Sequence, residues 1–197
     1  SKNNNNEVII LEKNSVCGKK ILATGAGRCN YYNDNQDLGN YYSNSKNLDK
    51  IITKENNLKV EQFFKELGVV PKIKNGYYYP MSNTATSVLN AFLTEINNRK
   101  IKVMLDSEVN SIKKLDNKYQ VIVNDKKMIF DKIIIAIGSK AGLKENENYA
   151  LLDSLGIKMT PILPALCPLI LSGNFFNKWS GIRVEASVSI YEDNKFI

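Results

Sequence analysis

Histidine is absent from this sequence of 197 residues, cysteine occurs only three times, and no apolar run is long enough to cross a membrane. Without histidine these residues contain neither the commonest general base nor the commonest metal ligand, which excludes hydrolases that pair histidine with serine or cysteine. Cys17, Cys29 and Cys167 form no C-x-x-C pair, so a disulfide framework and a zinc site are both disfavoured. We expect reduced thiols, no metal, no membrane partner and a cytoplasmic location.

Acidic residues are outnumbered by basic ones, and the formal net charge is +7. Such a surplus suits nucleic acid, with the tyrosines of residues 31–42 and 77–79 as stacking platforms for bases. The lysines are nevertheless spread along the chain and interleaved with asparagine instead of forming a run. We therefore expect a mostly solvated basic surface and no nucleic acid partner, and a basic nucleic-acid-binding module stays as the alternative function.

Residues 19–33 contain the features that most suggest a ligand site. Gly25 and Gly27 allow a positive φ and a close approach of the backbone to a bound group. Arg28 follows them directly, and its planar fork of five donors suits a phosphate or an oxidised ring. Upstream, an apolar run of strand length ends in an acid, Glu12, and in dinucleotide-binding folds such an acid at the end of the second strand binds the adenosine ribose.

Four segments of the sequence are distinctive. They are GKKILATGAGRCN at 18–30, GYYYPMS at 76–82, IIIAIG at 133–138 and PALCPL at 164–169. In this order, and over nearly the whole chain, they resemble the bacterial conserved flavoproteins of the BaiN/YhiN type, which are FAD-dependent oxidoreductases. The Gly-Arg-Cys-Asn core of the first segment is the most specific of these matches.

The resemblance implies that the protein binds FAD and reduces a small organic substrate with NAD(P)H as the reductant. It also implies that Glu12 binds the adenosine ribose, that Lys20 meets a phosphate, and that the backbone at Val109 meets the adenine. Residues 25–30 would approach the pyrophosphate and the flavin. The full set of implied cofactor-binding residues is Glu12, Lys13, Lys20, Gly25, Gly27, Arg28, Cys29, Asn30, Val109, Ala136 and Gly138. No catalytic residue is assigned.

Several positions depart from the family pattern or have two interpretations. Ala26 replaces a glycine that is usual in the family, Ile137 stands where a threonine is common, and the loop expected after the last strand is reduced to residues 144–148. Cys29 is either a redox thiol activated by the neighbouring Arg28 or, more simply, a small residue packed under the cofactor.

The position of Glu12 predicts that the chain is a fragment. A dinucleotide domain opens with a strand and a G-x-G-x-x-G turn, and its acid follows about twenty residues after the first glycine. Since only eleven residues precede Glu12, we expect this strand, turn and helix, and also the C-terminal part, to be missing. The fragment should then hold FAD weakly or not at all, and a ligand-free structural subdomain is a further alternative. The missing strand should separate residues 8–12 from residues 132–137.

The periodicity of apolar residues, together with the resemblance, predicts an α/β fold. We expect an incomplete Rossmann-like FAD/NAD(P)-binding domain at 1–160, with a parallel sheet, helices, an antiparallel β-meander and a helical insertion at about 34–80. The start of an inserted antiparallel β domain follows at 161–197. Within the first domain the predicted elements are a helix at 84–98, a strand at 101–105, meander strands at 107–114, 118–124 and 127–130, a buried parallel strand at 132–137 and a helix at 146–156.

Overall fold

The computed structural model describes residues 6–43, 46–138, 150–158, 178–179, 182, 187 and 189–196. The chain divides into two compact units, Ser1–Lys158 and Met159–Ile197. The first residues of the helix predicted at 146–156 and most of the β domain expected at 161–197 lie outside the described residues. No helix in the described part of the chain is long and apolar enough to cross a membrane.

The first unit contains both strands and helices. They are β1 Ile9–Leu11, α1 Lys19–Ala23, β2 Tyr32–Asn33, α2 Leu48–Ile51, α3 Lys54–Glu66, β3 Pro71–Lys74, β4 Tyr77–Pro80, α4 Ala85–Asn98, β5 Lys102–Met104, β6 Val109–Lys114, β7 Tyr119–Val123, β8 Lys126–Phe130 and α5 Ala150–Asp153. In the second unit, β9 Tyr191–Glu192 and β10 Lys195–Phe196 form an antiparallel hairpin. The α/β class predicted from the sequence is confirmed.

A two-stranded parallel sheet contains β1 and β5, with Ile9 opposite Lys102 and Leu11 opposite Met104. Helix α4 forms where the sequence predicts a helix, because its apolar residues recur at helical spacing. It is followed almost directly by β5, as predicted. Ala85 and Val88 of this helix are each only 1% exposed. The parallel pair and α4 are therefore the part of the chain with the Rossmann-like arrangement of strand, helix and strand.

The first hydrophobic core contains Cys29, Val69, Ala85 and Val88. Phe64 of α3 and Phe92 of α4 pack against it, with their ring centroids 6.0 Å apart. Helix α3 ends before Gly68, whose φ of +79° suits glycine.

Strands β2, β4 and β3 form an antiparallel sheet in that order. The β3–β4 hairpin closes through Asn75 and Gly76, both with positive φ, as in the type I′ turns favoured by two-residue hairpins. Tyr78 is buried and Tyr77 is exposed, so alternate side chains of β4 point to opposite faces of the sheet.

The predicted meander is present as β6, β7 and β8, which pair in chain order. The β7–β8 hairpin closes through Asn124 and Asp125, again with positive φ at both residues. The side chain of Asn124 accepts a hydrogen bond from the Glu108 backbone N–H and donates one to the Asp106 carbonyl. A second hydrophobic core lies on the meander and consists of Ile112, Val121, Val123 and Leu151.

The prediction of a parallel strand at 132–137 is wrong. Residues 132–138 form no strand ladder, although Ile133 and Ile135 pack against the meander core. Ile134 is 95% exposed. An apolar segment becomes a strand only when a neighbour accepts its backbone hydrogen bonds, and among the described residues β1 pairs with β5 alone. We expected residues 8–12 and 132–137 to be separated, and in the structure they do not pair directly.

Candidate functional site

Glu12 lies at the carboxyl end of β1, at the edge of the parallel sheet where α/β folds bind ligands. Its backbone N–H donates to the Met104 carbonyl at 2.9 Å, and its carbonyl accepts from the Ser107 N–H at 2.8 Å. These two bonds fix the position of Glu12 relative to β5 and to the segment that precedes β6.

Asn14 orients the Glu12 carboxylate. It donates to Oε1 of Glu12 from its backbone N–H at 2.8 Å and from its side-chain amide at 2.6 Å. The Asn14 side-chain oxygen in turn accepts from the Lys19 ammonium at 3.0 Å. Because Lys19 is the first residue of α1, this chain of bonds connects the acid at the end of β1 to the start of the helix.

Cys17 lies in the loop between Glu12 and α1 and is partly buried. Burial raises the pKa of its thiol, and the negative charge of Glu12 adds to this effect. The thiol therefore stays protonated at neutral pH.

Lys20 and Gly138 lie next to each other although they are far apart in the sequence. A Cβ atom added to Gly138 would lie 2.2 Å from the Lys20 ammonium nitrogen and 3.2 Å from its neighbouring carbon. The ammonium group is the end of a flexible chain and can move away, so the φ of +78° favours glycine here more than the contact does. The structure thus brings together two of the residues implied for phosphate and cofactor contact.

The loop after α1 has an unusual backbone. Gly25, Ala26, Gly27 and Cys29 have φ values of 54°, 53°, 81° and 58°. Two backbone hydrogen bonds close the turn, from the Arg28 N–H to the Gly25 carbonyl and from the Cys29 N–H to the Thr24 carbonyl. Ala26 therefore adopts a left-handed conformation in which the glycine usual at this position carries no steric cost.

Tyr79 of β4 packs against the loop through Arg28. The guanidinium carbon of Arg28 lies 5.1 Å from the centroid of the Tyr79 ring, a cation–π contact. The Nε of Arg28 also donates to the Gly25 carbonyl at 3.3 Å. The segments lie close together on this side. A Cβ added to Gly25 would lie 3.1 Å from the Asn30 nitrogen and 3.8 Å from the Tyr79 ring.

Cys29 is only 7% exposed and packs with Val69, Ala85 and Val88 in the first core. This environment favours the packing interpretation of Cys29 over the redox one, because a reactive thiol needs access to its reaction partner. The side chain holds the glycine loop onto α4.

The remaining predicted residues have different surroundings. Val109 begins β6 and packs against the meander core, as does Leu11 of β1. The neighbouring Asp106 N–H donates to the Asn14 carbonyl at 3.1 Å, so the start of β6 lies beside the Glu12 group. Lys13, Asn30, Ala136 and Gly138 are exposed.

The sequence reasoning missed Asn14, Lys19 and Tyr79. Asn14 and Lys19 could have been found from their polar side chains close to the acid, whereas no local signal pairs Tyr79 with Arg28. Two cavities of about 400 and 410 Å³ lie elsewhere, one beside the β6–β7 turn and one beside β2 and α3, and neither contains an implied cofactor residue. Among the described residues no cluster of three His, Cys, Asp or Glu side chains is placed to hold a metal ion.

A parallel strand that ends in an acid is one feature of Rossmann-type α/β proteins. The chain matches the HI0933-like protein Rossmann domain over residues 1–186, and it belongs to that family. The resemblance to BaiN/YhiN-type flavoproteins is confirmed by this match.

Curated relatives extend the comparison. The chain is 33% identical over 187 residues to the 3-dehydro-bile acid delta(4,6)-reductase of Clostridium scindens, which covers 93% of this chain and 46% of that protein. It is 23% identical over 168 residues to the ribosomal RNA dihydrouridine synthase of Escherichia coli, and this match covers 83% of this chain and 42% of that protein. To the enzyme of the same name from Haemophilus influenzae the chain is 22% identical over 192 residues, which is 92% of this chain and 48% of that protein. The chain thus spans less than half the length of these relatives.

Proposed function

We propose that this chain is the FAD-binding part of an oxidoreductase that reduces an unsaturated small molecule with NAD(P)H. The observation that carries the proposal is the group formed by Glu12, Asn14 and Lys19 at the carboxyl edge of the parallel sheet. There a carboxylate is held in place by two donors, directly before a basic helix.

The residues present fit a flavin nucleotide. The Glu12 carboxylate suits the ribose hydroxyls, and Lys20, exposed Gly138 beside it and the turn at 25–28 suit the phosphates and the flavin. When bound, FAD supplies the electron transfer between the nicotinamide and the substrate. The side chains of this chain then act by binding and orientation, for which histidine is not needed.

The relatives support a common type of reaction. One is named a reductase of a bile acid, and the others make dihydrouridine, which is uridine with two added hydrogens. Addition of hydrogen to an unsaturated ring is the chemistry that these names share. We propose the same reaction type for the protein that contains this chain.

Glu12→Gln in the full-length protein tests the flavin assignment. Glutamine still accepts the bonds from Asn14, but it loses the charge that favours a ribose hydroxyl as a donor. Because hydrogen bonds to charged groups contribute about 1.5–3 kcal/mol, FAD affinity should fall about tenfold or more. FAD retention after dialysis, read from flavin absorbance, and titration of the apoprotein measure the effect.

The matched control is Glu55→Gln on α3, where the carboxylate is exposed and paired with Lys59. It should leave FAD affinity unchanged. If Glu12→Gln retains FAD like the control while its circular dichroism is native, the assignment is wrong. The isolated 197-residue chain should hold FAD weakly or not at all, and a chain that stays yellow after dialysis would contradict this part of the proposal.

A further inference from the structure

None of the implied cofactor-binding residues lies in the second segment of the family resemblance, residues 76–82. Most of this segment forms β4, in which Tyr78 and Pro80 are buried. Tyr79 lies between them and is half-buried. Its side chain points to the other face of the sheet, because successive residues of a strand face opposite sides. The segment thus presents one aromatic ring outside the core.

Strand β4 holds the loop at residues 24–30 at two points. Directly after the loop, the backbone N–H of Tyr31 donates to the Tyr78 carbonyl at 3.0 Å. Within the loop, the guanidinium carbon of Arg28 lies 5.1 Å from the centroid of the Tyr79 ring. The strand therefore fixes the end of the loop through its backbone and Arg28 through a side chain.

The guanidinium group of Arg28 is oriented, yet its charge is not used up inside the chain. Its Nε donates to the Gly25 carbonyl at 3.3 Å, and its plane lies over the Tyr79 ring. Within the part of the chain that the structure describes, no acidic side chain forms an ion pair with it. A side chain that is already oriented loses less conformational freedom when it binds a ligand. The contact with Tyr79 should therefore strengthen the binding of an anionic group by Arg28.

We propose that Tyr79 is a positioning residue of the flavin site and acts through Arg28. It holds the guanidinium group in one orientation, in which the terminal amino groups bind the negatively charged part of FAD. This role rests on the function proposed for the chain, and it explains residues 76–82, to which no contact was assigned. A ring that only fills space could be replaced by an apolar side chain of similar size, whereas a cation–π partner must be aromatic.

The test is titration of the full-length apoprotein with FAD, followed by flavin fluorescence. Tyr79→Leu should weaken FAD binding about two- to fivefold, because leucine has no π face for the cation. Tyr79→Phe keeps the ring and should bind FAD like the parent. In an Arg28→Leu background, the further change Tyr79→Leu should have no effect, since the residue through which Tyr79 acts is then absent.

The matched control is Tyr77→Leu. Tyr77 lies on the same strand and is 44% exposed, and the ring in contact with Arg28 is that of Tyr79. The control should leave FAD affinity unchanged. Equal weakening by Tyr77→Leu and Tyr79→Leu would overturn the proposal. So would a loss of affinity in Tyr79→Phe, or an undiminished effect of Tyr79→Leu in the Arg28→Leu background.

Trypsin cleavage after Arg28 in the apoprotein separates this proposal from the flavin assignment. Loss of the Tyr79 ring should raise the cleavage rate several-fold in Tyr79→Leu, measured by mass spectrometry, and leave it near the parent rate in Tyr79→Phe and Tyr77→Leu. An unchanged rate in Tyr79→Leu would contradict the hold on Arg28. A raised rate with unchanged FAD affinity would overturn the role of Tyr79 and leave the flavin assignment standing. A full-length parent that binds no FAD would overturn both.

Discussion

The β-meander and the loop at residues 24–30 are stabilised in different ways. The meander consists of neighbouring strands joined by short turns, and its core comes mainly from its own alternating side chains. The loop has four residues with positive φ and is held by contacts with α4, β4 and the first core. Local sequence is sufficient for the first region, whereas the second depends on residues far away in the chain. Mutations should therefore affect the two regions differently.

Among these variants, Val88→Ala should lower the stability of the protein most, and it should act on the region of the loop. Removing two methyl groups from a side chain that is 1% exposed should destabilise the protein by roughly 2–3 kcal/mol, and it leaves a space beside Cys29. Urea unfolding gives the stability change. In a background with Cys17→Ser and Cys167→Ser, the rate at which Ellman's reagent labels Cys29 should rise several-fold.

Val121→Ala is the control from the meander core, where the valine is 3% exposed. Its stability loss should be similar, but the labelling rate of Cys29 should stay close to that of the parent. Equal acceleration in both variants would mean that labelling follows global unfolding, and the two regions would then not be independent.

Gly18→Ala should have the next largest effect. Gly18 precedes α1 with a φ of +79°, and a Cβ there would lie 2.3 Å from one Leu89 methyl carbon and 3.1 Å from the other. Strain and overpacking together should cost about 2 kcal/mol. Gly68→Ala has the same φ with open space around it and should cost only about 1 kcal/mol. Thermal unfolding should show the larger loss for Gly18→Ala, and equal losses would show that α4 adjusts freely.

Ala26→Gly should stabilise the protein by about 1 kcal/mol, because alanine pays a steric cost at a φ of +53° that glycine avoids. The corresponding change in the meander, Asp125→Gly at a φ of +65°, should give a smaller gain, since aspartate tolerates this region better. Chemical denaturation of both variants measures the difference. A loss of stability in Ala26→Gly would contradict the conformation found for the loop.

The smallest expected effect is a decline of stability in alkali. Burial raises the pKa of Tyr31 and of Tyr78, and the charge of Glu61 adds to both shifts. The stability linked to the neutral phenols is therefore fully present below the unfolded pKa of about 10, and it is lost as the pH rises through the higher folded values. Urea unfolding at pH 8 and pH 10.5 should show a smaller decline for Tyr78→Phe than for the parent. Tyr42→Phe, at a fully exposed position, should decline like the parent.

The regular elements were largely predictable from the sequence. Helix α4 and the meander strands begin and end within a few residues of their predicted bounds, because apolar periodicity and Asn or Asp turn residues act locally. The segment 132–137 shows the limit of this approach. Its apolar residues indicated a strand, but pairing depends on a neighbouring strand that its own sequence does not specify.

The candidate site was predictable only in part. The resemblance picked out Lys20 and Gly138, which the structure brings into contact. It did not identify Asn14 or Tyr79, since their roles follow from the folding of the chain around Glu12 and Arg28.

Helix α1 acts as a spacer between the two halves of the candidate site. Its first residue is bonded to the Asn14 group, and the glycine turn begins where the helix ends. Each residue of an α-helix adds a rotation of about 100° and a rise of about 1.5 Å. One inserted or deleted residue in α1 would therefore turn Arg28 away from Tyr79 while leaving every side chain chemically intact. The distance and direction between the two halves of the site thus depend on how many residues α1 contains. The helix should therefore tolerate substitutions far better than insertions or deletions.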